Sequence, residues 1–145
     1  MKIVIANDHR GVELKNKIKN ILERKGYLIY NVGTDTLDSV DYPIYAKELS
    51  KHLEVGDLGI LICGTGIGMS IAANKIKGIR CAKANNITEA KMTRMDNDSN
   101  VLALSSEMDL NEVEKIIDAF LTTEVSQDER HVRRRKMVEA LENEY

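Results

Sequence analysis

The chain has 145 residues, 43% of them hydrophobic, 30% charged, with a formal net charge of -2. That is enough apolar material for one cored domain over residues 1–145, and no excess of positive charge points to nucleic acid. No apolar run approaches membrane-spanning length, Met1-Lys2 leads directly into a strand pattern, and two cysteines make neither a disulfide framework nor a metal cluster, so a cytoplasmic, reducing setting is expected.

Lys2–Ala6 is a short β-branched run of the kind that fills a parallel core strand, and Asn7-Asp8-His9-Arg10-Gly11 closes it. Val12–Lys25 carries Leu14, Ile18, Ile21 and Leu22 on one helical face, with Gly26 as a left-handed cap. Leu28–Val32 is a second strand. Asp41-Tyr42-Pro43 then starts a helix to about His52, because proline suits a first helical turn.

Leu58–Ile62 is a third strand. It runs through Cys63 into Gly64-Thr65-Gly66-Ile67-Gly68, with an amphipathic segment from near Met69. A fourth strand follows over Ile79–Ala84. Asn86 and Glu89 have capping-box spacing for a helix over Ile87–Met95. Val101–Leu104 is a fifth strand, Asp109 and Glu112 cap a helix through Leu121, and a last helix covers about Arg130–Asn143. There are no internal repeats. Alternating strands and helices predict an open α/β fold, a five-stranded parallel sheet of order 2-1-3-4-5 with helices on both faces.

That order makes strands one and three neighbours whose connections leave in opposite directions, opening a crevice at their carboxyl ends. The crevice is bordered by Asn7–Gly11 and Cys63–Gly68, so Asp8 and His9 are expected beside Cys63. A strand, a glycine turn and a helix start aim several backbone N–H groups at one spot, which suits an anion, and a helix N-terminus favours a thiolate over a thiol. GTGIG lacks the Lys-Ser/Thr of a Walker A loop and the spacing of a dinucleotide fingerprint, which disfavours a nucleotide. Each residue also has a plainer reading. The glycines could form only a tight turn, Cys63 could be a small core residue, Asp8 a helix cap, and His9 a solvated loop residue. Cys81, inside a strand pattern, is assigned to the core.

Arg130–Lys136 is the only dense positive run, either a solvated helical face or a ligand grip. Arg130 and Arg134 are one turn apart and suit one phosphate. Asp96–Asn100 reads as a helix-to-strand turn at the amino edge of the sheet, opposite the crevice. Any role there needs a second subunit to bring it to Cys63.

Nearly the whole chain resembles the type B ribose-5-phosphate isomerases, the family that also holds allose-6-phosphate and galactose-6-phosphate isomerases. The likeness is carried by Asn7-Asp8-His9, Asp41-Tyr42-Pro43, Ile62–Arg80, Asn97-Asp98-Ser99-Asn100-Val101, and Arg130-His131 with Arg134. It implies a Rossmann-like fold, no metal and no cofactor. It also implies a homodimer, or a tetramer, with active sites shared between subunits and the C-terminal helix used in dimerisation. By resemblance Cys63 is the base that moves a proton between the first two sugar carbons, and Gly64, Gly66, Ile67 and Gly68 hold the enediolate oxygen with help from Thr65. Asp8 and Asn97 would bind sugar oxygens, His9, Arg130 and Arg134 chiefly the phosphate, and Tyr42 would line the pocket. Some members use a glutamate base where this chain has Met69.

Two positions depart from the family pattern. Asp96, kept as a candidate catalytic residue because a carboxylate can also move protons, replaces a histidine thought to open the furanose ring, and Glu107 replaces a phosphate-binding arginine. The expected activity is aldose–ketose isomerisation of a sugar phosphate, with ribose 5-phosphate first. A tetrose 4-phosphate, which cannot close a furanose ring, is the alternative that Asp96 suggests; six-carbon phosphates remain open. Outside the enzyme class stand a sugar-phosphate-binding protein without catalysis and a nucleic-acid module using Arg133–Lys136.

Overall fold

The computed structural model describes residues 1–144. Its strands are β1 (Lys2–Asn7), β2 (Leu28–Asn31), β3 (Leu58–Cys63), β4 (Cys81–Lys83) and β5 (Val101–Ser105). Its helices are α1 (Val12–Arg24), α2 (Tyr42–His52), α3 (Ile67–Asn74), α4 (Ile87–Asn97), α5 (Leu110–Thr122) and α6 (Glu129–Leu141), with a 3-10 turn at His9–Gly11. All strand pairs are parallel.

Side chains alternate along the strands, so each face of the sheet collects its own core. Ile3, Ile5, Ile60, Ile62, Leu102 and Leu104 pack on one face with α1, α4 and α5. Val4, Ala6, Leu61, Cys63 and Val101 pack on the other with α2 and α3. This is the division that right-handed crossovers demand: connections running one way along the sheet cover one face, and those running the other way cover the opposite face.

The strand order is β2-β1-β3-β5-β4, not 2-1-3-4-5. Burial explains the exchange of the last two. β5 is buried from Val101 to Leu104, as a strand paired on both sides must be, whereas all three residues of β4 are only half-buried and one is Lys83. An edge strand tolerates a lysine; a central one does not. The β2-β1-β3 part is unchanged, and with it the crevice between β1 and β3.

Several boundaries also shift. β4 is shorter than Ile79–Ala84, β1 and β3 each gain a residue, and α6 ends at Leu141. α3 begins at Ile67 rather than Met69, so Ile67 and Gly68 belong to the first helical turn. On α1, Leu14, Ile18 and Leu22 are buried, but Ile21 is not; Lys15 is fully buried instead. Gly26 has φ +92°, the left-handed cap that ends α1. α6 buries none of its thirteen residues and leaves Met137, Val138 and Leu141 exposed. Among the described residues no helix is long and apolar enough to cross a membrane.

Candidate active site

The crevice residues converge at the carboxyl ends of β1 and β3. The Asp8 N–H donates to the Ile62 carbonyl (3.2 Å), which stitches the loop after β1 to the strand that leads to Cys63. Asp8 is 5% exposed, and its Oδ1 accepts from the Arg10 N–H (3.0 Å). The cap role is therefore real, and it uses only one of the two carboxylate oxygens. His9 Nδ1 accepts from the Val40 N–H (3.2 Å). In the neutral ring that bond puts the proton on Nε2.

Cys63 ends β3 with 5% of its surface exposed, packed with the α2/α3 core. Its Sγ is not sealed among aliphatic groups, because the Gly66 N–H donates to it at 3.2 Å. Gly66 has φ +79°, and this left-handed residue turns the chain back so that its amide faces the sulfur. The first helical bond of α3 runs from the Ser70 N–H to the Gly66 carbonyl (3.1 Å). The Ile67 amide is taken by Thr65 Oγ1 (3.2 Å), while those of Gly68 and Met69 have no carbonyl of their own helix to bond. Met69 itself is fully buried beside Cys63 in the core.

Two glycines let neighbours approach the loop. A Cβ on Gly64 would lie 2.7 Å from Arg10 Nη1, and one on Gly68 would lie 2.8 Å from Tyr42 Cζ. Thus the Arg10 guanidinium rests on Gly64 and the Tyr42 ring on Gly68. The rear of the loop is tied to β5: Ser105 Oγ donates to the Gly64 carbonyl (2.7 Å) and the Ser106 N–H to the Cys63 carbonyl (2.9 Å). Glu107 follows at this same edge, exposed, with Ser106 Oγ 3.5 Å from its carboxylate.

Sequence reasoning missed three supporting residues. Arg10 stands in a loop where Asp8 and His9 drew attention, yet it is the cation closest to Gly64. Lys15 Nζ donates to the Thr34 carbonyl (2.7 Å) and to Asp35, while Asn7 Nδ2 donates to that same carbonyl (3.0 Å), so a buried lysine anchors the segment that reaches Val40 and His9. The Lys83 stem passes over Gly66, 3.3 Å from where a Cβ would stand. Cys81 packs against the α2/α3 core, and burial pushes its thiol up to about 12, which leaves it protonated.

Asp96, Asn97, His131 and Arg134 are elsewhere. They line a cleft of about 920 Å³ between the ends of α3 and α4 and the face of α6. Because α4 ends at Asn97 and β5 begins at Val101, this cleft lies at the strand-start edge of the sheet, opposite Cys63. Asp98 is the left-handed C-cap of α4 (φ 47°), held by Arg94 (3.0 Å) and Arg80 (3.4 Å), so the helix-to-strand turn is confined to Asp98–Asn100, while Asp96 and Asn97 form the last residues of α4 itself. Arg130 is exposed on α6 and is not part of the cleft lining. The missed residue here is Arg135, whose guanidinium donates to the carbonyls of Met95 (3.4 Å), Asp96 (3.2 Å) and Ser126 (2.7 Å) and clamps α6 to the end of α4. Within one chain, therefore, the crevice residues and the cleft residues stand at opposite edges of the sheet.

Comparison with known proteins finds the same architecture. The family model described as Ribose/Galactose Isomerase matches residues 3–138. A Rickettsia conorii protein, provisionally named a sugar phosphate isomerase, is 49% identical over 125 residues, 84% of this chain and 87% of that protein. The ribose-5-phosphate isomerase B of Escherichia coli is 39% identical over 144 residues, 97% of this chain and 96% of its own length. The solved structure of Clostridium thermocellum ribose-5-phosphate isomerase B superposes with a TM-score of 0.95 at 41% identity, covering 100% of this chain and 99% of that one.

Proposed function

This chain belongs to the ribose/galactose isomerase family, and from that premise we propose that it interconverts the aldose and ketose forms of a phosphorylated sugar, ribose 5-phosphate and ribulose 5-phosphate first, through an enediolate. The observation that carries the reading is the 3.2 Å bond from the Gly66 amide to Cys63 Sγ, at the start of α3.

The proton on C2 of an open-chain aldose is weakly acidic, so the site must hold negative charge as it forms. Cys63 takes that proton and returns it to C1. The open amides at the start of α3 meet the enediolate oxygen without reorganising, and one such donor contributes roughly 3 kcal/mol. Thr65 shapes this turn. Asp8 bonds sugar hydroxyls and the His9 Nε2–H donates to substrate, while Tyr42 walls the pocket. The cations Arg10 and Lys83 beside the loop favour an anionic ligand and oppose the charge of Glu107.

Asn97, Arg130 and Arg134 complete the site only from a second subunit, whose amino-edge cleft would face this crevice. The unburied α6 with its exposed apolar residues supports its use in a homodimer. The guanidinium groups then hold the phosphate, and that remote binding positions the reacting carbons. Residues 1–145 act as one catalytic domain in this reading.

Tetrose 4-phosphates stay in view because Asp96 stands where the family has a histidine. Isomerisation rates on four-, five- and six-carbon sugar phosphates test the reading. Preference for ribose 5-phosphate is expected; clear preference for the tetrose moves the substrate, and binding without turnover on any of them leaves only a sugar-phosphate-binding protein.

A further inference from the structure

The amino-edge cleft contains a pair that the proton transfer at Cys63 does not use. His131 Nε2 stands 3.6 Å from Asp96 Oδ1, with side chains only 20% and 26% exposed. The two come from different helices, α6 and α4, and line the same cleft as Arg134. Their relative position is fixed. Arg135 bonds the Met95 and Asp96 carbonyls at the end of α4, so α6 cannot slide along α4 without breaking both. The Asp98 cap, gripped by Arg80 and Arg94, holds the end of α4.

The chemistry of a five-carbon aldose 5-phosphate asks for such a pair. In water the sugar closes through O4 onto C1 as a cyclic hemiacetal, and the C2 proton becomes acidic only once C1 is a carbonyl. Opening takes the proton from the C1 hydroxyl, breaks the C1–O4 bond and delivers a proton to O4. A C1 carbonyl and an O4 hydroxyl result, with no net gain or loss of protons or electrons. A lone carboxylate is a base, whereas an imidazole serves as base or acid at neutral pH, and a neighbouring carboxylate orients it. We propose that His131, oriented by Asp96, is the acid–base group that opens the sugar ring. His131 is then a catalytic residue and Asp96 a positioning one. The inference rests on the reading of the chain as a pentose phosphate isomerase whose partner subunit brings this cleft to Cys63.

Ribulose 5-phosphate supplies the test. Its C5 hydroxyl is blocked by phosphate, so it cannot close a five-membered ring and enters the site open. Solvent deuterium incorporation into its C1 reports proton transfer alone, whereas turnover of ribose 5-phosphate reports ring opening as well. The His131→Asn enzyme should lose about 100-fold or more in turnover of ribose 5-phosphate, the scale of a general acid–base group, and under about tenfold in deuterium incorporation. Asp96→Asn should show the same split, smaller. Retained incorporation also shows that the variants fold and assemble. Equal loss of both activities in His131→Asn, or loss of neither, overturns the inference. A wild-type protein that neither incorporates deuterium nor turns over ribose 5-phosphate overturns instead the pentose phosphate isomerase reading on which the inference rests.

Discussion

Replacing Gly66 by alanine separates strain in the glycine loop from its chemistry. At φ +79° an L-residue with a Cβ costs about 1–2 kcal/mol. The new Cβ would also lie 3.0 Å from the Leu104 carbonyl carbon and 3.1 Å from its oxygen, and β5, paired on both sides, cannot yield. Such overpacking adds about 1–3 kcal/mol. Together these lower the melting temperature by roughly 5–15 °C for a chain of this size. The same shift pulls the Gly66 amide from Cys63 Sγ. A hydrogen bond to a charged group contributes about 1.5–3 kcal/mol, so turnover should fall roughly 10- to 100-fold. Gly26→Ala is the control: φ is +92°, but nothing lies within 4 Å of the added carbon. It should cost only the backbone part, about 1–2 kcal/mol, and leave turnover unchanged. Thermal melts and steady-state kinetics on both variants decide the matter. If Gly66→Ala matches Gly26→Ala in melting temperature and turnover, the reasoning about this loop is wrong.

Arg134→Ala should raise KM for the sugar phosphate by about 10- to 100-fold, the worth of one charge-assisted hydrogen bond, with a smaller change in kcat; an unchanged KM removes Arg134 from phosphate binding. Cys81 predicts an alkaline weakness. Its thiol is pushed up to about 12 by burial, against an ordinary value of 9.0, so the unfolded chain releases this proton first. Its contribution to stability is therefore complete below pH 9 and declines between pH 9 and 12. Denaturant titrations of the native protein and Cys81→Ala should show the native curve falling more steeply across that range; parallel curves would count against the raised Cys81 thiol.

The crevice was legible because it depends on few features. Apolar runs alternating with helical patterns imply a doubly wound sheet, and the β2-β1-β3 order alone brings Asp8 and His9 to Cys63. The β4/β5 exchange was written more faintly: VLAL has no polar interruption, while the other run contains Lys83, so the edge could have been named from that lysine. Separation of Asp96 and Asn97 from Cys63 followed from chain direction, since a helix-to-strand turn lies at the strand starts. The pairing of Asp96 with His131 was not readable, because no periodicity relates α4 to α6. Lys15 escaped for a similar reason. A lysine on a helix normally faces water, and only the Thr34 carbonyl and Asp35, supplied by a distant segment, make its burial tolerable. Arg10 and Arg135 are arginines whose backbone-facing contacts depend on loop geometry that local sequence does not encode. The early start of α3 reflects Gly66, whose left-handed turn allows helix to begin at once.

The most direct test of the account follows deuterium from heavy water into the C1–C2 carbons of ribose and ribulose 5-phosphates by NMR, for the native enzyme and for Cys63→Ala. Incorporation by the native enzyme is expected, and its loss when the sulfur is removed from a protein that still folds. Incorporation at an undiminished rate without Cys63 would contradict the account.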